Sequence, residues 1–193
     1  AMARVAQPAC EGGDGVPAIP RLAPALHAQP LQPSYAQLRQ WFLWQLDPTS
    51  SAYHIAGALR LFGALEMDAV CTCFTQLLQR HEALRTVFPL SNSGQPQQVV
   101  LEHMALDIAL QDLQGPNAQA RLDETIRHVS ATPFDLAQGP LLRVAVLRLA
   151  EAEHVLVVAM HHIVSDGWSL DVIIREFVAL YRAHVMPPVE QRE

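Results

Sequence analysis

The sequence of 193 residues is poor in cysteine and contains no cluster of basic residues. Its three cysteines, Cys10, Cys71 and Cys73, are odd in number and lack zinc-type spacing, which makes a disulfide framework improbable. Cys71 and Cys73 lie within a helical pattern and are predicted to pack as small apolar groups. The formal charge of −6 argues against nucleic acid or an anionic membrane surface as the main partner.

Long apolar runs are also missing. The longest ones, at residues 141–149 and 155–159, fall short of the roughly 20 residues that span a bilayer. No signal-peptide pattern opens the chain, so we expect a cytoplasmic protein without a membrane partner. Half of the residues are apolar and 17% are charged, which is enough material for one sizeable core.

The chain begins with a region of different composition. Residues 1–33 combine many prolines with Gly12, Gly13 and Gly15 and show no apolar period, which is typical of an extended Pro/Gly-rich linker. Ser34, followed three residues later by Gln37, forms a capping-box pattern that predicts the start of the first helix. Ordered structure is therefore predicted to begin at Ser34.

The remaining sequence predicts a mixed α/β fold. Apolar periodicity and turn residues predict the elements in this order: a helix from residue 34, a strand at 55–61, a helix at 66–80, a hairpin of 85–88 and 97–101, a third helix, two central strands at 141–149 and 154–160, and a last helix. The third helix is predicted to be capped by Asn117, and the residues on its buried side are Ala118, Leu122, Ile126 and Val129. The residues on one face of the last helix are Leu170, Ile173, Ile174, Phe177, Leu180 and Tyr181. This order predicts a mixed β-sheet covered by helices, an α/β sandwich.

The most informative segment is His161-His162-Ile163-Val164-Ser165-Asp166-Gly167, between an apolar strand pattern and the last helix. Imidazole groups exchange protons near neutral pH, so a histidine that faces a cleft could take a proton from an attacking amine or hydroxyl. Neighbouring strand residues point to opposite faces, so only one of the two histidines can face a given cavity. Gly167 permits a positive φ or the close approach of backbone or substrate, and Asp166 can hold the loop or orient a partner.

The same segment has three other interpretations. Two histidines beside a sheet are often hydrogen-bonded and structural, and we favour this role for His161. A metal site of His161, His162 and Asp166 is disfavoured, because adjacent strand histidines diverge and no fourth ligand motif is nearby. A Ser-His-Asp hydrolase is disfavoured because no Gly-x-Ser-x-Gly pattern occurs and Ser165 is too close to His162.

The segment resembles the HHxxxDG signature of the condensation domains of nonribosomal peptide synthetases, members of the chloramphenicol-acetyltransferase-like superfamily. Three further stretches agree in order: residues 34–43 resemble the family's SxAQxRLWFL, residues 80–88 its RHExLRTxF, and residues 133–143 its PFDLxxGPLLR. The resemblance covers about residues 31–185. Gln40 departs from the family, which usually has leucine there, and this affects only the packing of the first helix.

The resemblance implies one half of a pseudodimer, with an active-site tunnel between two lobes. Residues 34–185 would be the N-terminal lobe and 186–193 the start of the connection to a C-terminal lobe. Donor and acceptor peptidyl carrier proteins would deliver substrates on phosphopantetheine, and no cofactor or metal would be bound directly. The second lobe and an adjacent adenylation domain would be further partners.

By the same resemblance, five residues receive roles. His162 would be the catalytic, tunnel-facing histidine and His161 its structural neighbour. Gly167 would lie beside the reacting thioester, where a backbone amide helps to orient it. Asp166 would brace the motif through an arginine. Arg85 would be an arginine near the tunnel, and the alternative that it is an ordinary surface or helix-end arginine is equally open.

The resemblance also suggests a subtype. The opening motif favours the subtype that joins an L-configured donor to an L-configured acceptor. A starter domain that couples a fatty acyl chain to an amino acid is the alternative, and a non-catalytic docking module for a carrier protein is a third possibility. The lobe alone is expected to be inactive. Its uncovered inter-lobe face is expected to be apolar and to promote self-association.

Overall fold

The computed structural model describes residues 29–186. The four helices of these residues are α1 (Tyr35–Leu46), α2 (Met67–Arg80), α3 (Ala118–Ala131) and α4 (Gly167–Val185), with a 3₁₀ helix at Glu82–Arg85. The six strands are β1 (His54–Phe62), β2 (Thr86–Val87), β3 (Val99–Val100), β4 (Leu110–Asp112), β5 (Leu142–Ala150) and β6 (Glu153–His161). The helices and the long strands match the predicted elements closely.

The main sheet has four strands in the order β1-β6-β5-β4. β6 pairs antiparallel with both β1 and β5, whereas β4 pairs parallel with β5. β2 and β3 form a separate antiparallel pair. The predicted mixed α/β sandwich is therefore confirmed. Sequence analysis missed β4, because its three residues are all exposed and carry no apolar alternation.

Helices cover both faces of this sheet, so that β6 is buried on both sides. On one face α2 and α4 pack against the sheet, with Phe74 and Phe177 stacked at a centroid distance of 5.2 Å. On the other face the core includes Leu122 and Val129 of α3. Burial of such a large side chain contributes about 1.5–3 kcal/mol. The site histidines lie where this doubly covered strand ends.

Helix α1 begins with the predicted capping box. The side chain of Ser34 accepts a hydrogen bond from the Gln37 amide, and the Gln37 side chain accepts one from the Ser34 amide. Two indoles then fix the helix on the sheet layer: Trp41 Nε1 donates to the carbonyl of Phe88, and Trp44 Nε1 donates to that of Phe134, both at 3.0 Å. α1 thus packs through its tryptophans, although none of its residues is fully buried.

Three details differ from the sequence-based expectations. Ordered structure begins before Ser34, because Leu31 forms an antiparallel bridge with Gln98. Asn117 is the N-cap residue of α3, but its backbone is left-handed (φ 65°) and its side chain makes no capping hydrogen bond. Cys73 is buried as predicted, whereas Cys71 is exposed.

Residues 1–28 of the predicted linker, including Cys10, and residues 187–193 of the predicted connection lie outside the described residues. Between residues 29 and 186, no helix is both long and apolar enough to cross a membrane.

Candidate active site

The candidate site lies where β6 ends and the turn toward α4 begins. β6 ends at His161, so His162 is the first residue of the turn rather than part of the strand. The backbone N–H of His162 nevertheless donates to the carbonyl of Tyr53 at 2.8 Å, which extends the pairing with the β1 side by one residue. This bond fixes the position of His162 relative to the sheet edge.

The side chain of His162 is exposed and its ring is held through one nitrogen. Nδ1 lies 2.6 Å from the carbonyl oxygen of Ser165. A carbonyl can only accept, so Nδ1 carries the proton and donates it. In the neutral ring Nε2 is then the unprotonated nitrogen, free to accept a proton or a hydrogen bond from outside the loop.

His161 has the opposite environment. It is 3% exposed, and its Nδ1 accepts a hydrogen bond from the Ile163 amide at 3.1 Å. Burial, with smaller contributions from His54 and His162, lowers the pKa of His161 to about 4. The ring is therefore neutral at physiological pH, with its proton on Nε2.

Aromatic and cationic side chains surround the buried histidine. The rings of His54 and Phe134 lie 5.8 and 6.3 Å from the His161 ring. His54 Nδ1 lies 2.8 Å from the Ser130 carbonyl and therefore donates to it, and burial lowers the pKa of His54. Arg143 lies over the Phe134 ring at 4.4 Å. The PFDL and GPLLR stretches of the sequence thus contribute the packing next to His161, through Phe134 and through Arg143 over its ring.

Asp166 caps α4. Its Oδ1 accepts hydrogen bonds from the amide and the hydroxyl of Ser169 at 2.8 and 2.6 Å, and these bonds lower the pKa of Asp166. The expected arginine partner is not found within residues 29–186, where the contacts of this carboxylate are with Ser169. The difference has a simple cause, since an aspartate directly before a helix is also one of the preferred N-cap residues.

Gly167 is the first residue of α4. Its φ is not in the left-handed region, so the first of the two roles suggested by the sequence does not apply. A Cβ at this position would meet no atom within 4 Å, which leaves the second role, close approach of a substrate, open. The amides of Gly167 and Trp168 are first-turn N–H groups without intrahelical acceptors, at the positive end of a 19-residue helix.

Arg85 lies apart from this loop. It ends the 3₁₀ helix, donates to the Leu101 carbonyl, and has Glu82 Oε1 3.4 Å from its second amino group. Its side chain is 16% exposed. These contacts are with the β2–β3 region, and none is with residues 160–169.

The structure therefore brings His161, His162, Asp166 and Gly167 together and leaves Arg85 elsewhere. Sequence analysis missed Tyr53 and His54 as parts of the site. The signal was weak, because both precede an ordinary strand pattern and become neighbours of the motif only through the β1–β6 register.

Comparison with known proteins identifies the family. The model of the condensation domain matches residues 27–189, and the chain belongs to the condensation domain family. It is 43% identical over 174 residues to chondramide synthase CmdD of Chondromyces crocatus, covering 89% of this chain and 4% of that protein. It is 38% identical over 164 residues to the nonribosomal peptide synthetase kk1B of Curvularia clavata, covering 85% of this chain and 1% of the synthetase.

Solved structures agree with this assignment. The starter condensation domain of rhizomide synthetase RzmA superposes with a TM-score of 0.76 at 28% identity, covering 81% of this chain and 38% of that one. The first condensation domain of the CDA synthetase shares the fold, with a TM-score of 0.74 at 21% identity, 82% of this chain and 40% of that one. The chain thus spans a few per cent of its curated relatives and about two fifths of the solved domains.

Proposed function

We propose that this chain is the N-terminal lobe of a condensation domain that forms an amide bond between a donor thioester and an acceptor amine, both tethered to carrier proteins. The observation that carries the proposal is the ring of His162. Its Nδ1–H is held by the Ser165 carbonyl at 2.6 Å, so Nε2 is left as an acceptor on an exposed ring. This is the orientation that a proton-accepting group at an open site requires.

In the proposed step the acceptor nitrogen attacks the carbonyl carbon of the thioester, an N–C bond forms and the C–S bond breaks. His162 Nε2 accepts a hydrogen bond from the amine and takes its proton as the bond forms. The same proton is then returned to the departing thiolate of phosphopantetheine. The step needs no oxidant, metal or bound cofactor, because the thioester supplies the leaving group.

The carbonyl oxygen gains negative charge in this step. The free amides of Gly167 and Trp168, at the N-terminus of α4, are suitable donors to that oxygen. A Cβ at Gly167 would meet no atom within 4 Å, so the space beside this residue is open to the approaching oxygen. This supports the assignment of Gly167 to the catalytic machinery beside His162.

Proton transfer is not the largest expected contribution. A positioned base contributes about 10²- to 10⁴-fold, whereas holding two tethered reactants together can supply an effective molarity on the order of 10⁵ M or more. We therefore assign His162 first to orienting the amine and second to removing its proton.

Two observations support two different subtypes. The opening motif at residues 34–43 supports a domain that joins an L-configured donor to an L-configured acceptor. The likeness to the starter domain of rhizomide synthetase supports the second candidate, N-acylation of an amino acid by a fatty acyl group. Acyl thioesters offered as donors to the intact synthetase, in competition with aminoacyl thioesters, distinguish the two.

Partners of this lobe would be a second lobe, donor and acceptor carrier proteins, and an adenylation domain. Helix α1 supports a covering partner, because Tyr35, Phe42 and Leu46 lie on one of its faces and are 94%, 57% and 67% exposed. The same face supports self-association of the isolated chain. A purely non-catalytic docking module is the remaining alternative.

The test is His162→Ala in the intact synthetase, with loaded donor and acceptor carriers at saturation. We expect amide formation to fall at least about tenfold. His103→Ala is the matched control, because His103 is an exposed histidine with a side chain 85% accessible, and it should leave the rate unchanged. An unchanged rate in His162→Ala contradicts the catalytic role of His162 and supports the docking module. Peptide product from the isolated chain contradicts the expected inactivity of that chain.

A further inference from the structure

A cleft opens beside the histidine pair, between the C-terminal end of α1 and the start of β1. Its volume is about 230 Å³, and its lining residues are Leu43, Trp44, Leu46, Asp47, Ser50, Tyr53 and His161. At roughly 30 Å³ for each water-sized group, this space holds about eight heavy atoms. The cleft is therefore of the size of one branched or aromatic amino-acid side chain.

The cleft adjoins the proposed reaction centre. Tyr53 contributes to its wall, and the carbonyl of the same residue accepts the backbone N–H of His162 at 2.8 Å. His161, the chain neighbour of His162, also lines it. The cleft thus borders the residue that precedes His162 in the chain and the residue whose backbone is hydrogen-bonded to it.

One donor of the buried His161 ring has no partner among residues 29–186. The Ile163 amide donates to His161 Nδ1, so the ring proton resides on Nε2. No acceptor for this Nε2–H lies within the described part of the chain, although His161 is only 3% exposed. The fully buried ring nitrogen without a partner in this layer is Nε2 of His54, whereas His161 lines the cleft, so its Nε2–H is available to donate to an oxygen of a molecule bound there.

We propose that this cleft binds the side chain of an aminoacyl thioester, and that His161 Nε2–H donates to an oxygen of the same substrate. Leu43, Trp44 and Leu46 provide an apolar wall, and the single fixed donor orients the polar end, as in many small-molecule sites. His161 is then a substrate-binding residue as well as part of the core. The inference rests on the proposed function, because that function supplies aminoacyl thioesters.

The binding test uses the chain itself and does not require catalysis. The probes are glycyl and leucyl amides of N-acetylethylenediamine, in which NH replaces the thioester sulfur and prevents hydrolysis. Binding is followed by NMR of the imidazole nitrogens. We expect the His161 Nε2 signal to shift and the leucyl probe to bind at least about tenfold more tightly than the glycyl probe. The buried ring of His154, at the other end of β6, is the internal control.

Two variants make the test specific. Leu46→Trp places extra volume in the cleft and should abolish the preference for the leucyl probe. Phe42→Trp, on the same helix but not lining the cleft, should preserve it. Equal binding of the two probes in the unmodified chain, no shift of His161, or the same behaviour of both variants would overturn the inference.

Further probes identify the source of the side chain. An N-acetylated leucyl probe imitates a donor and the free-amine probe an acceptor, so selective binding of either assigns the cleft to that substrate. The outcome is independent of the His162→Ala assay. If His162→Ala loses amide formation but the unmodified chain does not bind the probes, only the proposed binding role of the cleft is refuted. If the probes bind but His162→Ala keeps its full rate, only the proposed catalytic role of His162 is refuted.

Discussion

His54 and His161 face each other directly across the β1–β6 ladder, with ring centroids 5.8 Å apart and planes at 66°. Both rings are bound to the backbone through Nδ1, His54 as a donor to Ser130 and His161 as an acceptor from Ile163. Each ring is therefore held as a neutral imidazole. Protonation of either would bring a charge into a layer that already contains Arg143 and Phe134.

This relationship predicts that the chain loses stability in mild acid. The pKa of His161 is lowered to about 4, whereas an unfolded histidine titrates near 6.5. The unfolded state thus binds more protons between these values, so stability is fully present above about pH 6.5 and falls as the pH decreases toward 4. A difference of this size corresponds to about 3 kcal/mol. Urea unfolding between about pH 7.5 and pH 4.5 measures it.

Other groups titrate in the same direction. The pKa values of His54 and His154 are also lowered by burial, and the lowered pKa of Asp166 adds a loss at still lower pH. His161→Phe isolates the contribution of His161, because the variant should show a shallower decrease of stability between pH 6.5 and 4. Identical slopes for the two proteins would contradict the assignment.

Arg143 is predicted to stabilise the support beneath the site. Its guanidinium donates to the carbonyls of Val129, Thr132 and Pro133 at 2.9–3.1 Å and lies over Phe134. Arg143→Met removes all donors and should lower the free energy of unfolding by about 2–3 kcal/mol.

Two comparisons sharpen this prediction. Arg143→Lys should be intermediate, because an ammonium lacks the planar fork that reaches several acceptors. Arg39→Met, at an exposed position of α1, should change stability by less than about 0.5 kcal/mol. Chemical denaturation measures all three variants, and equal effects of Arg143→Met and Arg39→Met would show that the three bonds contribute nothing.

Much of the fold could be predicted from the sequence, because long elements have a strong apolar period. α2 shows this: its residues Val70, Cys73, Phe74 and Leu77 recur at helical spacing, and all are buried. The capping box at Ser34 and the junction at Gly167 were predictable for a similar reason, since local chemistry determines where a helix begins.

Other features depend on contacts between distant parts of the chain. β4 forms only because residues 110–112 meet β5, and His54 joins the site only because it pairs with His161. The role of Asp166 was ambiguous for a different reason. A carboxylate before a helix can cap that helix or bind a cation, and the sequence does not distinguish these roles.

Replacement of Gly167 is predicted to affect the reaction with substrate and not the stability of the fold. Its backbone is not left-handed and a Cβ would have no neighbour within 4 Å, so Gly167→Ala should leave the unfolding midpoint unchanged or slightly raised. In the intact synthetase the same change should lower amide formation at least about tenfold, because the added methyl group would lie beside the proposed position of the thioester.

Gly57→Ala is the contrasting variant. A Cβ there would lie 2.9 Å from Leu170 Cδ2, inside the packed layer between β1 and α4, so it should destabilise the fold by about 1 kcal/mol. Thermal unfolding and rate assays of both variants should thus show opposite patterns. An active Gly167→Ala would show that nothing approaches this glycine during the reaction.

The two roles of Asp166 can be separated by changing its charge without its geometry. An asparagine side chain keeps an oxygen that can accept from Ser169, so Asp166→Asn should preserve the stability of α4. Asp166→Ala removes this acceptor and should lower the unfolding midpoint. Thermal unfolding of the two variants therefore measures the capping role alone.

The activity of the same variants tests the charge of Asp166. If its carboxylate binds an arginine beyond residues 29–186, as the family motif implies, Asp166→Asn loses amide formation in the intact synthetase at least about tenfold while remaining folded. We expect this result, because a carboxylate at the mouth of the proposed site, with its pKa lowered by Ser169, remains ionised throughout the neutral range. Full activity of Asp166→Asn would leave capping as the whole role of this residue.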